Sequence, residues 1–352
     1  MMMSVIPGLL IAFALAVAGN FLADSLALSL GLGAGAISGI MVAILLGLAL
    51  GNLLRLPAVL KPGISFAVKR VLRLGIVLLG LKLSIVEVGS IGLRSLPVIM
   101  VTIPAAILIV TYLGRRLGLS ERLGTLIAVG TSICGNTAIV AVSPTIGAKE
   151  EETSYAVACI TVFGLFAMLA YPFVAHWLFG GNSFMAGLFL GSSVHDTSQV
   201  AGAGMVYSDY YRDAQALNVA TVTKLERNLS MLLVIPLMSI LYHRRSSVGT
   251  APPPWWSMVP LFVLGFACMS AFRTTGDLGD RPFGLLTPEQ WHAFLDMSKH
   301  ASTYCLGIAM AGVGLGTSIK GLKAMGLKPL GLGLVSALIV GMISALLIKT
   351  LY

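Results

Sequence analysis

Residues 130–144 read GTSICGNTAIVAVSP, and the reading of this stretch decides the fold. It is set among Leu, Ile and Val, yet of its first eight residues only Ile133 is a large apolar side chain. Gly130 and Gly135 bracket the group. A Gly costs a helix about 1 kcal/mol relative to Ala, and Ser, Thr and Asn compete with the helix for backbone hydrogen bonds. A helix here is expected to be interrupted. Broken backbone at membrane depth is tolerated only where protein or a watery cavity satisfies it, and the half-helix ends it leaves can hold ions or orient a polar substrate. Small residues also serve close helix packing, and the two glycines fit that role equally well. Asn136 is different, because its amide demands partners in a dry setting.

The chain around this stretch is that of an integral membrane protein. Its 352 residues are 57% hydrophobic and 11% charged, with a mean hydropathy of +0.93. Soluble domains carry about 25% charged residues, and no hydrophilic stretch here is long enough for a separate soluble catalytic domain. The net charge of +9 comes from Lys and Arg in short connections. It is read as a topology signal and contact with anionic lipid, with no nucleic-acid partner. Cys134, Cys159, Cys268 and Cys305 lie in or against apolar segments without metal-ligand spacing, and are expected to be four small buried residues. The apolar N-terminal run lacks a basic flank and a small-residue cleavage site, so it reads as a retained span.

Hydropathy gives about eleven candidate spans, at 4–23, 33–54, 66–88, 95–114, 122–143, 151–179, 183–204, 214–242, 257–272, 294–317 and 329–350. The most polar stretch, 273–294, is expected to be a surface loop, and APPPWW (251–256) a helix entry with two Trp at an interface. Arg55, Lys61, Lys69, Arg70, Arg115, Arg116, Arg122, Arg244, Arg245, Lys320, Lys323 and Lys328 fall on one side. The positive-inside rule makes that side cytoplasmic, with the N-terminus inside and the C-terminus outside. LGIVLLGLKLSI (74–85) is echoed by LGIAMAGVGLGTSI (306–319), which suggests inverted repeats over about 33–179 and 183–350. A rival echo pairs GTSICGNT (130–137) with GSSVHDTS (191–198) and suggests parallel copies.

Two further polar stretches stand out. In GSSVHDTSQVAGAG (191–204), His195 and Asp196 are adjacent, with Ser192, Ser193, Thr197, Ser198 and Gln199 around them. Ionisable groups inside a span are costly and are functional candidates by default. His195 can carry a proton near neutral pH, and Asp196 can be its partner or a cation ligand. In TVTKLERNLS (221–230), Lys224 and Arg227 share a helix face while Glu226 points elsewhere. The two cations either counter Asp196, contact an anion, or snorkel to the interface.

With these residues set out, the chain resembles the YeiH-type bacterial membrane proteins, whose members are labelled uncharacterised or candidate sulfate exporters. The matching pieces are RLGIVLLGLKLSI (73–85), GTSICGNTAI (130–139), AKEEETSYAVACITVFGLFAMLAYP (148–172), HDTSQVAGAG (195–204) and AMAGVGLGTSIKGL (309–322). That family is distantly similar to the fold of sodium/proton antiporters and bile-acid symporters, in which two interrupted helices cross at the bilayer centre. The resemblance implies such a crossing at 130–137, with 306–319 as its inverted mate. Two positions depart from the family pattern: Gly135-Asn136-Thr137 stands where Gly-Ala-Ser is expected, and His195-Asp196-Thr197-Ser198-Gln199 where His-Glu-Val-Ala-Gln is expected.

The expectation is an all-α polytopic protein of the bacterial inner membrane, acting as a secondary exporter of a small anion such as sulfate or a sulfonate. Thr131, Ser132, Asn136, Thr137, Ser192, Ser193 and Gln199 are the expected substrate ligands. His195 and Asp196 couple protons or sodium, and Lys224 and Arg227 are candidate anion contacts. No organic cofactor or metal is called for, and membrane lipids and a second copy of the chain are the partners allowed for. The alternatives are a cation/proton antiporter, a sodium-coupled importer, and, less favoured, an intramembrane enzyme. The adjacent His195 and Asp196 point about 100° apart on a helix and would not form a relay by themselves.

Overall fold

The computed structural model of the chain describes residues 4–29, 37–54, 56–243, 254, 259–278, 281–317 and 327–352. Among them every regular element is helical, as expected for an all-α membrane protein. Arg55, Arg244, Arg245, Lys320 and Lys323 of the charge count lie outside the described residues, as do most of 251–256 and the end of 306–319.

In chain order the helices are α1 (Ile6–Ser29), α2 (Gly39–Leu53), α3 (Lys61–Phe66), α4 (Leu72–Leu79), α5 (Ile85–Arg116), α6 (Glu121–Ser132), α7 (Asn136–Val142), α8 (Glu150–Phe179) and α9 (Ser183–Ser193). They continue as α10 (Thr197–Tyr211), α11 (Ala214–Leu229), α12 (Met231–His243), α13 (Leu261–Gly276), α14 (Pro288–Gly316) and α15 (Leu327–Leu351). Among the described residues, five stretches are long and apolar enough to cross a bilayer: Ile6–Ser29, Ile85–Arg116, Glu150–Phe179, Ala214–Tyr242 and Lys328–Leu351. Shorter apolar helices include Gly39–Leu53, Ser183–Ser193 and Leu261–Gly276.

The differences from the sequence reading have local causes. The expected span 66–88 is assembled from α3, a π-helical turn at Ala67–Val71, α4 and a single 3-10 turn at Gly80–Lys82. The expected loop 273–294 is shorter, because α13 runs on to Gly276 and Thr287 caps α14 in a reciprocal box with Gln290. Most consequentially, 306–316 lies inside the continuous helix α14. The expected mate at 306–319 is therefore not an interrupted helix over the part described, and the second interruption falls within 183–211 instead. The six Gly and Ala residues of α14 between 307 and 316 are used for close packing. A Cβ on Gly314 would stand 2.3 Å from the carbonyl oxygen of Ile44 in α2. Cys134 and Cys159 are buried as expected, but Cys268 is exposed and Cys305 half-buried. An apolar face turned to lipid looks the same in sequence as one turned to protein.

The chain forms two compact units. The first comprises Met1–Gly92, Met205–Asn218 and Leu261–Ser318, and the second Leu93–Gly204, Val219–Pro260 and Ile319–Tyr352. Each of the halves 33–179 and 183–350 thus contributes to both units. In the first unit, α2 and α14 pack along their small residues, with α1 against both. In the second, Val110, Leu126, Ile127, Ile139, Ile160 and Ile235 belong to one apolar cluster. All the candidate residues singled out from the sequence belong to this second unit.

Candidate functional site

Both polar stretches interrupt their helices, and the two interruptions touch. α6 ends at Ser132, and Thr131 and Ser132 donate their hydroxyls to the carbonyls of Ile127 (2.8 Å) and Ala128 (2.6 Å). Ile133 leaves helical geometry, and Gly135 at φ +68°, ψ −125° lets the chain re-enter a helix as α7. That backbone conformation is open in practice to glycine alone. α9 ends in the same way. Ser192 and Ser193 donate to Leu188 O (2.6 Å) and Phe189 O (2.5 Å), and Val194 is extended.

The second helix restarts with its own cap. The Oδ1 of Asp196 accepts from the Ser198 amide (3.0 Å) and hydroxyl (2.8 Å), and Gln199 returns a carboxamide oxygen to the Asp196 amide (3.0 Å). Asp196 thus caps the helix at its N2 amide, and Gln199 at N3 reaches back to the cap's own amide. The contact between the breaks is close: a Cβ on Gly135 would stand 2.9 Å from Asp196 Oδ2 and 3.1 Å from its Cα.

The exposed carbonyls at the two C-terminal ends are claimed from α11. Lys224 donates to Ile133 O (2.8 Å), to Val194 O (3.1 Å) and to His195 O. Arg227 donates through Nε to Ser132 O (2.6 Å), through Nη1 to Val194 O (2.9 Å) and Gly191 O (3.4 Å), and through Nη2 to Thr131 O. Both side chains are fully buried. The pairing is electrostatically apt, since helix C-termini carry partial negative charge and each charge-assisted bond contributes about 1.5–3 kcal/mol. Of the three readings of these cations, snorkelling is overturned: both heads are buried against main chain. Glu226 does point elsewhere, accepting from Ser95 on α5.

The side chains expected to bind a substrate divide into two groups. The hydroxyls of Thr131, Ser132, Ser192 and Ser193 are buried and donate to their own helices; Ser192 also meets Ser344 of α15. They shape the helix ends. Asn136, Asp196 and Thr197 are half-buried and Thr137 is exposed. Asn136 gives its amide to Thr161 Oγ1 on α8 (3.2 Å), while its Oδ1 is buried without a hydrogen bond. Gln199 reaches the same residue, donating to Thr161 O (2.9 Å) across the space left by Gly164. His195 is fully buried, with Nδ1 3.2 Å from Ser193 O and Nε2 without a hydrogen bond.

Sequence reasoning missed Thr161, Gly164 and Asn228. Asn228 donates to Thr197 Oγ1 (3.2 Å) and leaves its own Oδ1 buried without a hydrogen bond. It sits one residue past Arg227, inside a stretch already flagged. Thr161 and Gly164 are single residues in the smooth apolar run of α8, with nothing local to mark them. Among the described residues no group of three His, Cys, Asp or Glu is placed to hold a metal ion.

The chain is similar to known proteins over most of its length. The family model described as conserved hypothetical protein 698 matches residues 7–333. A UPF0324 membrane protein of Corynebacterium glutamicum is 36% identical over 285 residues, covering 80% of this chain and 76% of its own. One of Fusobacterium nucleatum is 32% identical, covering 80% and 82%. The UPF0324 inner membrane protein YeiH of Salmonella typhi is 32% identical over 288 residues, covering 79% and 76%. No solved structure matches the chain.

Proposed function

We propose that this chain, which belongs to the UPF0324 membrane protein family, is a secondary transporter that exports a small anion such as sulfate or a sulfonate. One observation carries the proposal: two interrupted helices meet in a single unit around two buried cations, Lys224 and Arg227, with the carboxylate of Asp196 beside them. Buried charge is costly unless it is paired or hydrogen-bonded, and ionisable groups kept at membrane depth mark functional sites. Two positive charges against one negative leave the crossing with a net attraction for an anion. The cations exert it at a distance, because Lys224 spends its three donors on carbonyls and Arg227 most of its five. Direct contact falls to the accessible polar side chains Asn136, Thr137 and Thr197, with Asp196 and His195 as the coupling groups. Helix interruptions supply the hinge points that alternating access requires. The reading contains no chemical step. It places the chain in the bacterial inner membrane with a cytoplasmic N-terminus.

A second reading, cation/proton antiport through Asp196, has one observation in its favour. Asp196 Oδ2 accepts no hydrogen bond among the described residues, while Oδ1 accepts two.

The test is flux in proteoliposomes. Labelled sulfate and a short alkylsulfonate are loaded, and proton and sodium gradients are imposed in turn. Anion efflux is expected to depend on a gradient and to be abolished in Asn136→Ala, while that variant keeps a wild-type melting profile. If the folded protein moves neither anion under any gradient, the anion reading fails. Cation flux in its place, lost in Asp196→Asn, would establish the second reading.

A further inference from the structure

Lys224 and Arg227 both address carbonyls, but in different arrangements. The planar guanidinium of Arg227 spreads over Thr131, Ser132, Gly191 and Val194 along the last turns of α6 and α9. Lys224 ends in a compact ammonium, and three main-chain oxygens converge on it from the two unwound segments. Ile133 O comes from the first break, and Val194 O and His195 O come from the second. Outside regular helix, the carbonyls of Ile133 and His195 accept from no other donor among the described residues. Unwound carbonyls and half-helix C-terminal ends gathered in this way are the ligand set that holds a small monovalent cation in a membrane carrier.

We infer that Lys224 is a tethered cation: its ammonium fills a main-chain carbonyl site suited to a free monovalent cation, so the crossing carries this charge permanently and takes up no alkali metal ion there. A free ion at this position would enter and leave, and its gradient would drive the cycle. A charge fixed to α11 by a four-carbon stem can do neither. The stem is wholly buried, so the ammonium is held at the carbonyls from within the protein. The carbonyl site is thereby present but closed, and it reopens only if the side chain is cut back. Truncation to Ala removes Cγ, Cδ, Cε and Nζ, the heavy atoms of propylammonium. The ligand class of the opened site is therefore a small primary alkylammonium, with a bare alkali cation as a poorer fit. The inference goes beyond the transport reading and holds whatever the protein carries.

The experiment is a melting comparison on the full chain in detergent, at constant ionic strength balanced with N-methylglucamine chloride. Asp196→Asn, which removes the separate carboxylate ion ligand and keeps Lys224, is expected to melt at the same temperature in sodium and in N-methylglucamine. Lys224→Ala is expected to melt roughly 5–10 °C lower than wild type, since three carbonyls lose a charged donor, and propylammonium chloride should restore at least half of the loss. Lys224→Met keeps most of the stem volume without the charge; it should be destabilised and gain nothing from propylammonium. If Lys224→Ala yields no folded protein, its membranes are extracted with and without propylammonium, and folded material should appear only with it. A melting temperature of Asp196→Asn that rises in sodium would overturn the inference. So would Lys224→Ala that is indifferent to propylammonium, or unfolded in both extractions. The readout is melting, so rescue in a chain that moves no anion would keep the inference and lose the transport reading, and flux without rescue would do the reverse.

Discussion

The two breaks end alike and begin differently. On the C-terminal side of each half-helix the same solution recurs: paired hydroxyls fold back on the last turn, and α11 supplies the cations that the carbonyls need. On the far side they diverge. α10 restarts behind its own side-chain caps: Asp196 accepts from the Ser198 amide, and Gln199 accepts from the Asp196 amide. α7 restarts behind Gly135, with no side-chain cap. The second break is therefore specified by its own residues, whereas the first depends on what lies against it. Its main neighbours are Asp196 across the crossing and Thr161 on α8. A self-capped break is rigid on both sides. An uncapped one is free to reorganise on its N-terminal side, which suits the half that meets a substrate.

The largest effect should come from the residue on which the first break turns. In Gly135→Ala the new methyl would meet Asp196 Oδ2 at 2.9 Å and its Cα at 3.1 Å, at a φ of +68°. Positive φ alone costs a non-glycine residue roughly 1–2 kcal/mol, and the clash forces apart the two segments that form the crossing. Folded protein recovered by size-exclusion chromatography is expected to fall by most of its wild-type amount. Gly180→Ala is a milder control, left-handed at φ +58°, ψ +31° with nothing within 4 Å; it should lose only the smaller conformational term of that region. Equal recovery of the two variants would mean that the contact between the breaks contributes nothing.

A smaller effect is expected from changing the cap that distinguishes the second break. Asn caps helices about as well as Asp, so Asp196→Asn should leave melting within about 1 kcal/mol of wild type while removing the negative charge that Asp196 sets at the crossing. Anion flux is expected to fall at least tenfold, with binding of the anion retained or strengthened. Asp196→Ala should lose the flux and, in addition, about 1 kcal/mol of stability. If both variants melt alike, Asp196 does not cap α10.

Much of this was legible in the sequence, and the limits have physical causes. The first interruption is written locally, because Gly, Ser, Thr and Asn weaken a helix where they cluster, and 130–137 announces a break. At 191–198 the sequence marks the polar patch, while the break that the structure shows there was expected at 306–319. The common face of Lys224 and Arg227 follows from a spacing of three. What those cations touch does not, because the carbonyls of Ile133 and Val194 belong to every residue type and acquire a role only when two breaks are brought together. Hydroxyl orientation is equally hidden. Thr131, Ser132, Ser192 and Ser193 read as substrate ligands in the sequence, yet each finds a carbonyl within its own helix. The echo between 74–85 and 306–319 misled for a related reason. Small residues in α14 that resemble a break are used to approach α2.

Thr161 offers the finest separation of the two breaks, because one residue serves both through different atoms. Its hydroxyl accepts from Asn136 of the first break, and its main-chain carbonyl accepts from Gln199 of the second. Thr161→Val keeps the shape and the carbonyl and removes only the hydroxyl. The Gln199 bond should survive, while the Asn136 amide loses its partner in a setting where an unmade hydrogen bond costs about 1–3 kcal/mol. Gln199→Leu makes the opposite cut, sparing Asn136 and opening the cap at Asp196. If the first break is the adaptable one, Thr161→Val should weaken anion affinity severalfold with a modest loss of stability, and Gln199→Leu should lower stability with affinity nearly unchanged. The same ordering of both variants on both axes would place the two breaks in one rigid unit, and the division between a fixed and a yielding half would fall.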